Sequence, residues 1–302
     1  MIEVLQPGLL TTVQDSGRRG HEAYGMPASG PFDPFLASVA NKLVGNGLSA
    51  PVLEFALTGP SLKFDSDCRI ALAALSAEYL LDGEPLSEFS AVPVRSGSVL
   101  RFVGMRGWFG YLAVAGGFDA PAILGSVSTY LAGKLGRRLE AGNLLQCGNP
   151  GRFTYRIRKE SLGLRTTNIA GILPGLHTTQ FSARDRHRLV ESEYTVDIQS
   201  NRMGVHLRGV ELVPPAVRRS APLLPGTIQI PRTGQPLLLG PEGPVTGGYP
   251  QIAVLSRTSW TRLAGTRPGD AIRFEWMGVD QARQLWEYRN AIFQSEEAWQ
   301  KI

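Results

Sequence analysis

The feature that most constrains the fold of this chain is a recurrence of short apolar and β-branched runs, many of them bounded by Gly, Pro or Asp. Runs of this length and composition are typical of β-strands, and the residues between them predict tight turns. The 35 Gly and 21 Pro residues are 56 of 302, which is below the share expected of a disordered chain, about 25–30%. The runs predicted as strands are 52–57, 69–75, 99–103, 111–115, 153–157, 194–198, 226–230 and 271–276.

Helices are predicted in three places only. Asp33 followed by Pro34 is typical of a helix start, and an apolar stripe with helical spacing continues to Val44. A second helix is predicted over 281–293. A third begins at Ser182, where Asp185 gives the spacing of a capping box.

The order of these elements shows no alternation of strand and helix, so a parallel βαβ fold is not expected. We predict a mainly β fold of two β-barrel lobes with a few short helices. The turn-forming segment 148–151 and the charged segment 156–160 place the predicted boundary between an N-terminal lobe, 1–155, and a C-terminal lobe, 156–302.

Composition excludes several functions. The net charge is +5 and no block of five like charges occurs, so nucleic-acid binding is not expected. Cys68 and Cys147 show no CxxC spacing and are predicted to be buried free thiols, and the four histidines lie too far apart for a predicted metal site. Neither a signal sequence nor a long apolar segment is found, so we expect a soluble cytoplasmic protein without membrane attachment.

A glycine-flanked polar loop is the first of four segments that resemble parts of a binding site. It carries Gln14, Asp15 and Arg18, and such a loop can bring backbone N–H groups close to an anion. The alternative is a structural ion pair of Asp15 with Arg18 or Arg19. Asp33, further along, is interpreted as a helix cap.

Three further segments carry Gly and polar residues together. Ser126, Ser128 and Thr129 could offer hydroxyls to a substrate or serve turns and caps, and Arg202 could be a site residue or a structural one. Residues 226–231 and 243–250 could bring Tyr249 and open backbone to a ligand. The four segments together predict a composite pocket between the lobes.

At these residues the chain resembles the family of the 5-oxoprolinase C subunit, also called KipA or the second subunit of allophanate hydrolase. The matching motifs are ordered along nearly the whole chain, which makes the resemblance specific. They are 11–18, 29–33, 40–46, 53–54 with 59–60, 111–117, 124–126, 201–204, 227–231 and 246–250.

The resemblance implies a cyclophilin-like β fold related to the carboxyltransferase portion of urea carboxylase. It implies a hydrolase of cyclic or linear amides that works in a complex with a KipI-like B subunit and with an A subunit. Such a complex would open the lactam of 5-oxoproline to glutamate with ATP. ATP is expected at the level of the complex, and no covalent biotin is expected because none of the five lysines stands in an Ala-Met-Lys-Met context.

The resemblance also implies site residues. Arginines would anchor a substrate carboxylate, Gln229, Thr246 and Tyr249 would hydrogen-bond the amide, and the carboxylates would orient water or the arginines. The predicted catalytic residues are Asp15, Glu54, Arg202 and Tyr249. The predicted substrate-binding residues are Gln14, Arg18, Ser29, Asn41, Gln229 and Thr246.

Two alternatives remain open at the sequence level. The chain could be a regulatory binding protein that sequesters a KipI-like inhibitor of a kinase, or a carboxyltransferase that acts on carboxybiotin and a urea-like amide. The chain departs from the usual family pattern at Phe32, at residues 75–77, and at Asn201, Pro244 and Val245.

Overall fold

The computed structural model describes residues 1–149, 153–164, 168–216 and 219–302. The described chain forms two compact units. The first contains Met1–Arg18, Ser29–Leu164 and Ala291–Ile302, and the second contains Arg19–Ala28 and Arg165–Asn290. The domain boundary predicted between residues 155 and 156 stays a prediction, and residues 150 and 151 of the turn on which it was based lie outside the described residues.

Short strands dominate the chain, as their apolar runs predict. Those of residues 1–164 are β1 (Ile2–Gln6), β2 (Leu10–Gln14), β3 (Val52–Ala56), β4 (Ser61–Phe64), β5 (Cys68–Ala74), β6 (Ala77–Leu81), β7 (Glu84–Pro85), β8 (Ala91–Val94), β9 (Val99–Met105), β10 (Phe109–Val114), β11 (Phe118–Asp119), β12 (Leu144–Cys147) and β13 (Tyr155–Arg156). Those that follow are β14 (Ile169–Pro174), β15 (Glu193–Val196), β16 (Gly204–Arg208), β17 (Ala221–Pro222), β18 (Thr227–Gln229), β19 (Leu237–Leu239), β20 (Thr246–Gly247), β21 (Gln251–Leu255), β22 (Ala271–Trp276) and β23 (Gln300–Lys301).

The helices include each of the three that the sequence predicts. The α-helices are α1 (Pro34–Leu43), α2 (Ala183–Glu191), α3 (Trp260–Gly265) and α4 (Val279–Gln294), and short 3₁₀ helices lie at Glu22–Tyr24, Lys159–Leu162, Thr178–Gln180 and Arg257–Ser259. Ser182 caps α2 by accepting the N–H of Asp185, as predicted. Helix α3 was not predicted, because six residues are too few to establish a helical period.

The first unit stacks two antiparallel sheets. One has seven strands in the order β11-β12-β1-β4-β9-β6-β7, and the other has five in the order β2-β3-β10-β5-β8. A hydrophobic core includes side chains of both sheets, among them Val4 and Leu62 from the seven-stranded sheet and Phe55 and Leu112 from the five-stranded one. The predicted mainly β class is confirmed.

Helix α1 packs its predicted apolar stripe into a second core with residues of the five-stranded sheet. Every residue of β3 and β10 is consequently buried, which explains why neither strand alternates apolar residues with exposed polar ones. The one charged side chain of these two strands, that of Glu54, is buried as well. Asp33 caps the helix as predicted, because its side chain accepts the N–H groups of Phe35 and Leu36.

The second unit contains a closed barrel of seven strands in the order β14-β21-β18-β19-β16-β15-β22. Neighbouring strands are antiparallel, except that β14 and β22 run parallel. Closure leaves no strand edge open to pair with another chain. The barrel therefore gives the loops between its strands a rigid base.

The hydroxyl of Tyr111 links the sheet of the first unit to the start of α1. It donates to Glu54 Oε2 (2.8 Å) and accepts the N–H of Asp33 (2.6 Å). Burial, and after it the nearby carboxylates of Glu54 and Asp33, raise the pKa of Tyr111 well above its usual value. The phenol therefore stays protonated and remains a donor throughout the neutral range.

Replacing Tyr111 with Phe should destabilise the protein by about 1–3 kcal/mol, because the buried N–H of Asp33 loses its acceptor and Glu54 loses a donor. Urea unfolding at neutral pH measures the change. The matched control is Tyr24→Phe, because Tyr24 is 87% exposed and should tolerate the same deletion without loss. Equal stability of the two variants would contradict this account of the link.

Candidate functional site

Four of the predicted site residues of the first unit hold the same loop. These four, Gln14, Asp15, Arg18 and Ser29, are called the anchor cluster below. Gln14 Nε2 and Ser29 Oγ donate to the carbonyl of Thr129 (3.1 and 3.0 Å), and the guanidinium of Arg18 donates to the carbonyl of Ser128. The anchor cluster thus binds the backbone of the loop that follows β11. The alternative of an ion pair of Asp15 with Arg18 or Arg19 stays a prediction, as do the predicted roles of these residues in a site.

Asp15 makes the largest set of bonds within the anchor cluster. Its carboxylate accepts the hydroxyls of Ser126 and Ser128 and the N–H groups of Val127 and Gly17. Burial alone would raise the pKa of Asp15, but these four hydrogen bonds outweigh burial and lower the pKa below its usual value. The alternative that Ser126 and Ser128 serve turns and caps is therefore supported.

Glu54 and Asn41 hold other backbone segments of the first unit. Glu54 Oε2 accepts the N–H of Phe32 (2.5 Å) as well as the hydroxyl of Tyr111. Asn41 Nδ2 donates to the carbonyl of Ala50 (2.7 Å). Both side chains are buried and make clear structural contacts. The predicted roles, in catalysis for Glu54 and in substrate binding for Asn41, stay predictions.

In the second unit, Arg202 forms a buried ion pair with Glu242. Arg202 Nε lies 2.6 Å from Glu242 Oε1, and the two side chains are 6% and 9% exposed. Glu242 was not predicted from the sequence, because forty residues separate it from its partner. Since a carboxylate of this chain already neutralises the guanidinium, the role of Arg202 as an anchor for a substrate carboxylate stays a prediction.

Gln229, Thr246 and Tyr249 lie near one another, together with Gln251, which was not predicted from the sequence. These four residues are called the glutamine site below. Gln229 and Gln251 face each other on the neighbouring strands β18 and β21. Gln229 Nε2 donates to the carbonyl of Tyr249 (3.3 Å), and Gln251 Nε2 donates to that of Pro222 (3.2 Å), which pairs with Thr246.

Burial differs sharply within the glutamine site. Both carboxamides are buried, whereas Thr246 is exposed and Tyr249 is 49% exposed. The segment 246–249, which begins with the short strand β20, contains Gly247, at which an added Cβ would lie 2.8 Å from Leu223 and 3.5 Å from Gln229 Nε2. Glycine therefore keeps the backbone close to a buried amide, an arrangement that suits recognition of a small polar ligand.

His177 also belongs beside the glutamine site. Its Nδ1 accepts the backbone N–H of Gln251 (3.1 Å), and its side chain is buried. A contact with a backbone N–H leaves no spacing pattern in a sequence, so this one was not predicted. A signal was present for Gln251: it directly follows Tyr249 and Pro250 and starts an apolar strand, where a polar residue predicted to be buried needs a partner.

Among residues 1–149, 153–164, 168–216 and 219–302, no group of three or more metal-ligating side chains occurs. No helix among them is both long and apolar enough to cross a membrane.

The two cysteines differ from the prediction in their burial. Both are free, but they are half-buried against the core of the first unit instead of fully buried. Burial, and after it the nearby Cys147, raise the pKa of Cys68 to about 12, and burial raises that of Cys147. Each thiol therefore stays protonated at neutral pH, which does not favour a nucleophilic role.

The sheets, the barrel and these polar clusters define a class of protein. A family model described as carboxyltransferase domain, subdomains A and B, matches residues 24–276, and the chain therefore belongs to this family. It is 33% identical over 312 residues to the C subunit of 5-oxoprolinase from Escherichia coli, covering 99% of this chain and 98% of that protein. It is 31% identical over 303 residues to the C subunit of 5-oxoprolinase from Haemophilus influenzae, covering 97% and 96%. The predicted resemblance is confirmed.

Solved structures give the same fold. The urea amidolyase of Kluyveromyces lactis superposes with a TM-score of 0.88 at 28% identity, covering 99% of this chain and 20% of that one. A protein named TTHA0988 superposes with a TM-score of 0.80 at 36% identity, covering 91% and 55%. The chain thus spans about half the length of TTHA0988 and a fifth of the amidolyase, so it is similar to one part of each.

Replacing Asp15 with Asn should destabilise the protein by about 1–3 kcal/mol at pH 7, because an amide NH₂ would face donors instead of accepting from them. The folded-state pKa of Asp15 is lowered, so its stabilising effect is complete above the unfolded value of about 3.9 and is lost as the pH falls through the folded value. The difference in unfolding free energy between wild type and variant should narrow below about pH 4 in urea titrations. The control is Asp119→Asn, at an exposed position of the same unit; a gap that is independent of pH would contradict the assignment.

Replacing Arg202 with Ala should cost about 3–5 kcal/mol of unfolding free energy, because the buried carboxylate of Glu242 loses its charged partner. The matched control is Arg208→Ala, whose partner is Asp197 and whose side chain is 64% exposed, so the expected cost is about 0–1 kcal/mol. Urea unfolding compares the two variants. A double variant, Arg202→Met with Glu242→Leu, should recover much of the stability lost in Arg202→Ala. Equal unfolding free energies for Arg202→Ala and Arg208→Ala would contradict the structural role of Arg202.

Proposed function

We propose that this chain is one component of an ATP-dependent amidohydrolase of the 5-oxoprolinase type, which opens the lactam of 5-oxoproline to glutamate. The observation that carries the proposal is the end-to-end similarity to two proteins named as the C subunit of 5-oxoprolinase, which covers at least 96% of each protein. A match over the full length of both proteins supports a shared role better than a shared domain does. Because these relatives are named as subunits, their names support action within a complex.

The proposed partners are a KipI-like B subunit and an A subunit. ATP use is proposed for the complex, because this chain has no GxxxxGK[ST] phosphate loop. The substrate is a small cyclic amide with a carboxylate. Phosphorylation of the lactam oxygen would make the ring carbonyl open to attack by water, and the energy of ATP would drive the opening.

The glutamine site is the proposed place of amide recognition in this chain. A lactam presents one N–H donor and one C=O acceptor side by side, and a carboxamide offers the complementary pair. The Nε2 groups of Gln229 and Gln251 donate to backbone carbonyls, and these bonds orient both amide planes. The exposed side chains of Tyr249 and Thr246 would then hydrogen-bond the lactam, and the backbone at Gly247 would let the lactam approach closely.

Transfer of a carboxyl group from carboxybiotin to a urea-like amide is the second candidate function. The family model, which is that of a carboxyltransferase domain, favours it, as does the similarity to urea amidolyase of Saccharomyces cerevisiae at 28% identity over 97% of this chain. This function would require a separate biotin carrier, because no lysine of this chain stands in a biotinylation context. The same glutamine site would then bind urea, which also presents N–H and C=O groups.

Activity should depend on the glutamine site. In the complex of this chain with the KipI-like subunit and the A subunit, Gln229→Met should lower kcat/KM for 5-oxoproline by about tenfold or more, because the apolar replacement leaves the amide of the substrate unpaired. Tyr249→Phe should lower it without a change in stability, since the side chain is half exposed. The measurements are glutamate release, 5-oxoproline-dependent ATP hydrolysis and the Tm of each variant.

The matched control is Gln199→Met, at an exposed glutamine of the same unit, which should leave activity unchanged. Glutamate release that requires all three subunits would support the proposal. Wild-type turnover on urea with a biotin carrier, and none on 5-oxoproline, would replace it with the carboxyltransferase function. A tight complex that turns over neither substrate would favour the regulatory alternative.

A further inference from the structure

The loop 120–138 of the first unit presents two apolar turns to solvent. It is called the double-turn loop below. Ile123 pairs with Ser126 around the first turn, and Tyr130 pairs with Leu135 around the second. The side chains of Ile123, Leu124 and Leu131 are 41%, 48% and 42% exposed. Scattered apolar side chains are common on protein surfaces, but several together on one loop indicate an interaction site.

The double-turn loop is held in a conformation that Leu124 does not favour. Leu124 has a φ of 54° and Gly125 a φ of 76°, which is the left-handed pair of a type I′ turn. Asn or Gly normally occupies the first of these positions, because a branched side chain is strained there. A leucine at this position therefore costs stability and places an apolar side chain at the tip.

Buried polar groups fix the base of the double-turn loop. Asp15 binds Ser126, Val127 and Ser128, while Gln14 and the other members of the anchor cluster bind the carbonyls of Ser128 and Thr129. In the second turn, the ring of Tyr130 lies against Gly133, where an added Cβ would approach it to 2.5 Å. The conformation is thus set before any partner binds, which reduces the entropy lost on binding.

The charges of the double-turn loop define the partner surface that it fits. Lys134, Arg137 and Arg138 are exposed, and no acidic residue occurs between Asp119 and Glu140. A second copy of the chain would bring the same positive charge against this face, so self-association is disfavoured. The complementary surface is an apolar recess bordered by carboxylates.

We propose that the double-turn loop is the docking element for the KipI-like subunit, with Leu124 and Leu131 inserted in an apolar recess of that protein and the three cations facing its acidic rim. This inference rests on the proposed function, which supplies the partner. It also explains why much of the predicted polar site of the first unit binds one loop. The anchor cluster then consists of positioning residues, which act on association through the loop.

The test measures the affinity of the purified chain for the purified KipI-like subunit by calorimetry. Leu124→Asn should raise Kd about tenfold or more while Tm stays unchanged or rises, because Asn suits the left-handed turn but removes the apolar tip. A purely structural role for Leu124 would not produce this opposite movement of affinity and stability. Leu131→Ser should weaken binding similarly, and Arg137→Glu with Arg138→Glu should weaken it and reduce its dependence on salt.

The matched controls are Leu144→Ser and Val103→Ser, at positions 57% and 53% exposed in the seven-stranded sheet, which should leave Kd unchanged. An unchanged Kd for Leu124→Asn, or equal weakening by the controls, would overturn the docking role. A membrane role would also overturn it. In that case the wild type would bind phosphatidylcholine–phosphatidylglycerol vesicles and Leu124→Asn would not, while both would bind the KipI-like subunit with the same Kd.

The two proposals fail in distinguishable ways. A complex that hydrolyses 5-oxoproline with tip variants as tightly bound as wild type would overturn the docking role and leave the proposed function standing. Tip-dependent binding of the KipI-like subunit without turnover of 5-oxoproline would overturn the proposed function and leave the docking role standing.

Discussion

The burial of the five-stranded sheet on both faces is the constraint on which the first unit depends. One face packs on the seven-stranded sheet and the other on α1, so the central strands β3 and β10 have no solvent-facing side. Helix α1 must therefore begin at a fixed place, and its first N–H groups must find acceptors away from water. Asp33 caps these groups, while Tyr111 and Glu54 bind the backbone just before the helix. The buried carboxylate of Glu54 and the phenol of Tyr111 thus stabilise the start of α1, whereas the sequence resemblance implied a catalytic role for Glu54.

Polar loop residues meet the same requirement elsewhere in the first unit. A loop that leaves a sheet has backbone groups without ladder partners, and burying its base requires side chains that replace those partners. Asp15 satisfies two N–H groups and two hydroxyls at once, which a neutral side chain of that size could not do. Clusters of Asp, Arg, Ser and Gln between glycines are therefore what a rigid loop needs as well as what an active site needs. The anchor cluster binds the loop 126–129, whereas Tyr249 and Thr246 remain open to solvent.

Local patterns in the sequence predicted the elements that they determine. The start of α1 at Asp33 and Pro34, the cap at Ser182 and the strand over 271–276 all follow from propensities within a few residues. Pairings distant in sequence could not be predicted in this way. Glu242 as the partner of Arg202, and Gln251 opposite Gln229, depend on which strands become neighbours in the barrel. The positive φ of Leu124 could not be predicted either, because leucine disfavours the left-handed turn that tertiary contacts impose on it.

Under the proposed function the glutamine site recognises an amide, but its side chains limit what this chain does alone. Carboxamides, a hydroxyl and a phenol donate and accept hydrogen bonds, so their proposed task is to position the lactam. His177 stands beside them with Nδ1 already committed to the N–H of Gln251. An unstrained amide needs activation of its carbonyl and delivery of water, and under the proposed function these steps fall to groups or ATP supplied by the other subunits. A chain that binds substrate without activating it would be active only in complex with its partners. A preformed docking loop would favour that association, because less entropy is lost on binding, and this would offset the strain at Leu124.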